Sequence, residues 1–198
     1  MPLNRLSIVA AAVTIVITPV LTAGKYNKVL KIGDQAPAWN ELLGSDEKKH
    51  SLDDLKKAKA VVVVFTCNTC PVAVAYEKRL VAFAKAYKKK GVVLVAINSN
   101  RNGGNDPAAM ATRAKERGFT FPYVADPEQK MKKLYGAQVT PEFFLLDGKR
   151  KIAYMGRLDN AQDESKVKNK DLVNAVEAVL AGKPPPVTET RPFGCGIK

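Results

Sequence analysis

The chain has 198 residues, 46% of them hydrophobic and 26% charged, and Lys plus Arg outnumber Asp plus Glu by 32 to 19, for a formal net charge of +13. This is ordinary globular usage, and it excludes a disordered chain, a collagen-like fibre and a polytopic membrane protein. Three cysteines are too few for a disulfide scaffold, and one histidine excludes a site built from several imidazoles.

Residues 1–5 (MPLNR) carry one positive side chain and no acid, and residues 6–23 (LSIVAAAVTIVITPVLTA) carry no charge. A basic start, an apolar run and small residues near Ala23 describe an export signal. The rival reading is a retained membrane anchor, since this run is just long enough to span a bilayer. Either reading places the remainder outside the cytoplasm, in the periplasm or an equivalent extracytoplasmic space, where disulfides persist. The expected organisation is therefore residues 1–23 as signal peptide or anchor, residues 24–182 as one domain, and residues 183–198 as a proline-rich tail carrying Cys195. The positive charge is chiefly Lys, spread along the chain without interleaved aromatics. It reads as a solvated face rather than a nucleic-acid surface.

Residues 25–60 read as an irregular lead-in punctuated by Gly33 and Pro37, with a short capped helical turn at Ser51–Leu55. Residues 60–65 (AVVVVF) are a β-branched run without alternation, as expected of a strand covered on both faces. After TCNTCP, the residues Tyr76, Leu80, Phe83 and Tyr87 recur at helical spacing, with Lys88–Lys90 suited to the helix end and Gly91 closing it. Residues 92–98 (VVLVAIN) predict a strand and 99–106 (SNRNGGND) a loop. Asp106-Pro107 predicts a capped helix running to Arg117. A short strand at 119–124 follows, then a helix opened by Asp126-Pro127 and closed by Gly136. Residues 142–147 and 151–157 predict two strands joined by the Asp147-Gly148 turn. Leu172, Val176, Val179 and Leu180 mark a last helix before Gly182. This order predicts an α/β layered domain.

Cys67-Asn68-Thr69-Cys70-Pro71 follows the buried strand and opens a helix. Two cysteines three apart can close a disulfide across the first turn. The first sulfur would then lie near unpaired backbone N–H groups, which favour the thiolate. Cys67 is expected to be the nucleophile and Cys70 the resolving thiol. Two other readings remain: half of a zinc site, for which only Cys195 and His50 could complete the ligands, and two unconnected core cysteines. A second feature is Thr140-Pro141 directly before a strand, where proline is either an ordinary strand start or a cis bond.

Together, the buried strand, the CxxC at a helix start and the distant Thr-Pro resemble the thioredoxin superfamily. The lead-in (IGDQAPAW, then SLDDL) resembles its redoxin branch, and FTCN-x-CP with TP-x-FFL resembles a peroxiredoxin-like group within it. The resemblance covers about residues 28–182 and extends to the closing PFGC-x-IK. It implies a thioredoxin-like fold, a central mixed β-sheet flanked by helices with a redoxin-type N-terminal extension. It also implies that Pro141 is cis and packs over the disulfide, and that the backbone at Thr140 pairs with a substrate strand, so Thr140 and Pro141 form the substrate-binding groove.

The expected function is extracytoplasmic thiol–disulfide oxidoreductase, exchanging disulfides with protein or small-molecule thiols and served by an external electron-donor dithiol protein. Neither a bound cofactor nor a metal is implied. The membrane would be touched only through an uncleaved amino-terminal segment.

Several positions depart from the relatives' patterns. Thr66 stands where thioredoxins place Trp, and Val61 where they place a buried Asp. Peroxiredoxins align their peroxidatic cysteine with Cys70, but Cys67 stands where they place a peroxide-orienting Thr or Ser, and Val63 where they place Pro. A thiol peroxidase is therefore the alternative reading. A non-catalytic metal- or partner-binding module is a second alternative; copper carriers of this fold have a longer Cys spacing and a later His.

Cys195 has two readings: a stray thiol on a surface tail, or a third redox thiol presented to Cys67 by Phe193 packing down. Glu77 and Glu142 are weaker proton-transfer candidates. Trp39 and Tyr76 read as packing residues, and Gly103-Gly104 does not match a phosphate loop.

Overall fold

A computed structural model describes residues 24–198. The expected amino-terminal signal or anchor, residues 1–23, lies outside the described residues. Among the described residues no helix is long and apolar enough to cross a membrane.

The organising element is β3 (Ala60–Phe65), preceded by a small hairpin of β1 (Leu42–Leu43) and β2 (Lys49–His50). All six β3 residues are fully buried. Val62 and Val64 point into one apolar layer, while Val61, Val63 and Phe65 point into the other. That is why the run reads as continuously hydrophobic instead of alternating. β3 pairs in parallel with β4 (Val92–Asn98), which pairs in parallel with β5 (Tyr123–Ala125). On its other side β3 runs antiparallel to β7 (Glu142–Leu146), which continues into β8 (Ile152–Gly156). The sheet order is β5-β4-β3-β7-β8, mixed as expected.

Helices α1 (Pro71–Lys88), α2 (Pro107–Arg117) and α4 (Asp171–Leu180) contribute to the layer over Val62 and Val64. The opposite face is covered by α3 (Lys130–Tyr135) together with Trp39 and Leu52 of the lead-in. Trp39 and Tyr76 are both buried.

Three boundaries differ from expectation for local reasons. The strand expected at 119–124 is confined to Tyr123–Ala125, because Pro122 has no N–H for a ladder. The helix expected from Asp126-Pro127 begins at Lys130, after Gln129 takes a left-handed conformation (φ 57°). Asp126 still caps this turn, accepting from the Lys130 and Lys132 backbone N–H groups at 2.9 and 3.1 Å. The lead-in holds the β1–β2 hairpin, with Ser51 capping a 3-10 turn at Leu52–Leu55.

The tail is docked along the domain, not loose on its surface. Thr190 N donates to Met155 O, and Met155 N to Thr188 O, both at 3.0 Å, so the tail lines the outer edge of β8. Farther on, β9 (Cys195–Gly196) pairs antiparallel with β6 (Val139–Thr140). Ile197 is buried in the layer beneath α3, and Lys198 N donates to Asn100 Oδ1 at 3.0 Å.

Helix α1 is tied to the 159–162 segment by a buried pair, Arg79 Nη1 to Asp159 Oδ2 at 2.6 Å, with Tyr76 Oη donating to Asp159 Oδ1 at 3.0 Å. Arg79 also lies over the Tyr76 ring. Removing the guanidinium strands a buried carboxylate. Arg79→Met is expected to lower stability by about 3–5 kcal/mol in urea denaturation.

Candidate active site

The site forms where β3 ends. Phe65 is opposite Glu142 in the antiparallel register, so the residues leaving β3 emerge beside Thr140 and Pro141, which precede β7. The Thr140–Pro141 peptide bond is cis. Thr66 N donates to Ile97 O at 2.9 Å and carries the β3–β4 pairing one residue further.

Pro71 occupies the first position of α1 and Cys70 is its N-cap. Proline suits that position because its missing N–H would have no helical partner. Ala73 N donates to Cys70 Sγ at 3.4 Å. The sulfur aligned with the positive helix end is thus that of Cys70, a correction to the expectation that placed Cys67 there. Cys67 lies three residues ahead of the cap, on the approach to the helix. Its Sγ is 3.4 Å from Thr140 Oγ1.

The disulfide differs from expectation as well. Cys70 is bonded to Cys195, and Cys67 is the unbonded thiol. The physical reason is the tail. Pairing Cys195 with Thr140 brings a third sulfur to the same junction, which local spacing in CNTC does not reveal. Phe193 packs against Tyr76, with ring centroids 6.1 Å apart, and so presents Cys195 to Cys70 rather than to Cys67. Cys67 and Cys70 are both buried, while Cys195 is half-buried. Cys70 Sγ also lies 3.2 Å from Thr140 O. Thr140 is therefore the point around which Cys67, Cys70 and Cys195 gather.

A polar scaffold holds the CNTC loop. Asn68 N donates to Asn105 Oδ1 at 2.9 Å, and Asn68 Nδ2 to Gly104 O at 2.8 Å. Tyr123 Oη donates to Asn68 Oδ1 at 2.9 Å. Asn102 and Asn105 both donate to Thr69 Oγ1 at 3.1 Å. Burial first, and the charge available at Cys67 second, hold the Tyr123 phenol well above its ordinary range, so it remains a donor. Sequence reasoning misses this group because SNRNGGND carries no hydrophobic periodicity and reads only as a loop. Its density of Asn was the available signal, since Asn side chains can bond neighbouring backbone in place of regular structure.

The two carboxylate candidates are occupied elsewhere. Glu77 accepts from Arg113 at 2.7 and 3.1 Å and pairs with Arg117 at 3.2 Å. Glu142 accepts from the Gln138 and Val139 N–H groups at 2.8 and 3.3 Å, bracing the turn before the cis bond. Burial pushes its carboxyl above the usual range despite those two bonds. Among the described residues no group of three or more His, Cys, Asp or Glu is placed to hold a metal ion. His50 contacts Asp46 on the surface, with Nε2 2.9 Å from Oδ1.

Comparison with known proteins gives a match to the Redoxin family model over residues 31–172. Among solved structures, an uncharacterized conserved protein of Geobacillus kaustophilus is 35% identical, covering 87% of this chain and 94% of that one, with a TM-score of 0.81. A hypothetical protein of Sinorhizobium meliloti 1021 is 34% identical, covering 87% and 96%, also with a TM-score of 0.81. The thioredoxin domain of a thiol-disulfide oxidoreductase from Bacteroides vulgatus shares the fold at 21% identity, with a TM-score of 0.59 over 75% and 96% of the two chains. A search of curated proteins gives no match.

Two expectations follow from this geometry. Because burial raises the Glu142 carboxyl, the fold favours its neutral form. The stability held by that form is complete below the unfolded value and is lost as pH rises through the folded one. Glu142→Gln is therefore expected to gain stability relative to the parent as pH is raised from 4 to 7, measured by urea denaturation at each pH. The Cys70–Cys195 bond spans 125 residues. Removing a cross-link that closes so long a loop frees the unfolded chain, so Cys195→Ser is expected to lower stability by about 3–5 kcal/mol.

Proposed function

The chain belongs to the Redoxin family, and on that premise we propose that it is a thiol–disulfide oxidoreductase working through Cys67 and Cys70, with Cys195 as a third redox thiol. One observation carries the proposal: Thr140 meets Cys67 at its hydroxyl, Cys70 at its carbonyl and Cys195 across the β6–β9 pair. Three sulfurs converging on one residue form an exchange site rather than a structural staple. Thr140 and Pro141 shape the groove in which the partner sulfur lies.

In this reading Cys70 is the sulfur that changes partners. Its thiolate is favoured by the Ala73 N–H and by the positive end of α1. Reduced Cys70 attacks a substrate disulfide; one substrate sulfur bonds to Cys70 and the other leaves as a thiolate. Cys67 then attacks Cys70 Sγ, forming Cys67–Cys70 as the substrate thiolate departs. The substrate disulfide has gained two electrons and the protein dithiol has lost two. Cys195 can replace Cys67 in the second step, giving the Cys70–Cys195 bond. A dithiol protein restores the thiols by the reverse exchange.

The uncharged run at residues 6–23 supports a setting outside the cytoplasm, where such a partner would meet it. Peroxide turnover is expected to remain near that of an ordinary thiol, because Cys67 stands where a peroxidase places a hydroxyl.

The test is a redox titration in glutathione buffers, with each cysteine alkylated and its state read by peptide mass spectrometry. Cys70 is expected in two bonds, to Cys67 and to Cys195. Cys70→Ser is expected to reduce disulfide exchange to background. Exchange at the parental rate in Cys70→Ser would overturn the assignment.

A further inference from the structure

The groove at Thr140 is filled by the protein's own tail, and the tail records what the groove accepts. Gly194-Cys195-Gly196 lies across β6, with Cys195 paired to Thr140 and Gly196 to Val139. Ile197 N donates to Gln138 O at 3.0 Å and continues the strand. The two glycines differ in their surroundings. A Cβ on Gly194 would overlap Thr140 O, while standing 2.6 Å from Thr140 C and 3.2 Å from Pro141 N. These are backbone atoms, so no side chain can turn aside to make room. A Cβ on Gly196 meets nothing within 4 Å.

The geometry points to a ligand class for this site: an extended chain bearing cysteine whose preceding acyl carbon is attached to an unbranched CH₂. The position after the cysteine is unrestricted. A Gly-Cys peptide segment meets that requirement. So does glutathione, because its γ-linked glutamate places an unbranched methylene before the cysteine amide. The tail is the resident competitor, and a ligand enters as residues 194–198 leave. This inference rests on the proposed exchange at Cys70. In the step itself, the Cys70 thiolate bonds to the ligand's cysteine sulfur, the ligand disulfide breaks, and its other half leaves as a thiolate that takes a proton from water.

The test uses the full chain carrying Cys67→Ser and Cys195→Ser, so that only the Cys70 thiol remains. Mixed-disulfide formation is timed by intact mass with five probes. These are the disulfides of acetyl-Gly-Cys-Gly-amide, acetyl-Ala-Cys-Gly-amide and acetyl-Gly-Cys-Ala-amide, oxidised glutathione, and 2-hydroxyethyl disulfide. Both Gly-Cys peptides are expected to react about tenfold faster than the Ala-Cys peptide, the penalty of forcing a methyl into occupied space. Glutathione matching the Gly-Cys peptides supports the inference and identifies a small-thiol source. Slow glutathione with fast Gly-Cys peptides supports it and identifies a peptide segment. Equal Gly-Cys and Ala-Cys rates beside brisk reaction with 2-hydroxyethyl disulfide overturn the inference and leave the exchange reading standing. Silence with all five probes overturns both.

A second variant reads the same contact without added ligand. Gly194→Ala in the otherwise unaltered chain is expected to lower the ratio of Cys70–Cys195 to Cys67–Cys70 about tenfold at a given glutathione poise. An unchanged ratio overturns the inference.

Discussion

Burial of β3 on both faces is the constraint on which the site depends. A strand whose six residues are all fully buried has no freedom to slide, because a one-residue slip would exchange the two apolar layers it fills. That locks its register to β4 and β7 together. The last residue, Phe65, is then opposite Glu142, and the chain must leave the sheet next to Thr140 and Pro141. The meeting of residues far apart in sequence, Cys67 with Thr140, follows from hydrophobic packing several residues away. The chemistry is placed by apolar side chains that take no part in it.

The loop that follows buries its two sulfurs against Ala73, and its polar side chains are held by hydrogen bonds. Asn98, Asn105 and Tyr123 form a chain of hydrogen bonds beneath Asn68, with Asn98 Nδ2 donating to both Asn105 Oδ1 and Tyr123 Oη. Asn98 and Tyr123 belong to β4 and β5, so the rigidity of the sheet reaches the CNTC loop through short polar side chains. Buried amides of this kind are costly when unpaired and specific when paired. The sulfur-bearing loop can thus be irregular without being loose.

Much of this was legible from residue order, and the limits are physical. The AVVVVF run, the Tyr76-Leu80-Phe83-Tyr87 spacing and the Asp106-Pro107 cap each report interactions within a few residues of themselves, and each produced the expected element. Thr140-Pro141 was legible as a feature beside the site through family resemblance. Which cysteine pairs with which was not, because that depends on where the tail docks. Docking is set by contacts of high sequence separation: Thr190 against Met155, Phe193 against Tyr76, Ile197 among residues beneath α3. One local sign was readable. Proline at 71 suits the first helical position, which makes Cys70 the cap and leaves Cys67 outside the helix. The loop at 98–106 carried its role in side-chain amides that hydrophobic periodicity does not register.

The two separate attachments of the tail bear on how solution thiols meet Cys70. Thr188 and Thr190 are held on β8 by the Met155 backbone, independently of the disulfide. If the Cys70–Cys195 bond opens, Cys195 is still leashed by the few residues that follow Thr190. A group on so short a leash acts at an effective concentration in the millimolar range. A dissolved thiol at micromolar levels faces that local excess at every encounter, whatever its intrinsic reactivity. Occupancy of Cys70 is therefore governed by the length of a tether as well as by sulfur chemistry. Lengthening the chain directly after Thr190, ahead of Phe193 and Gly194, would dilute the internal competitor while leaving the contacts of Phe193 with Tyr76 and of Gly194 with Thr140 as they are.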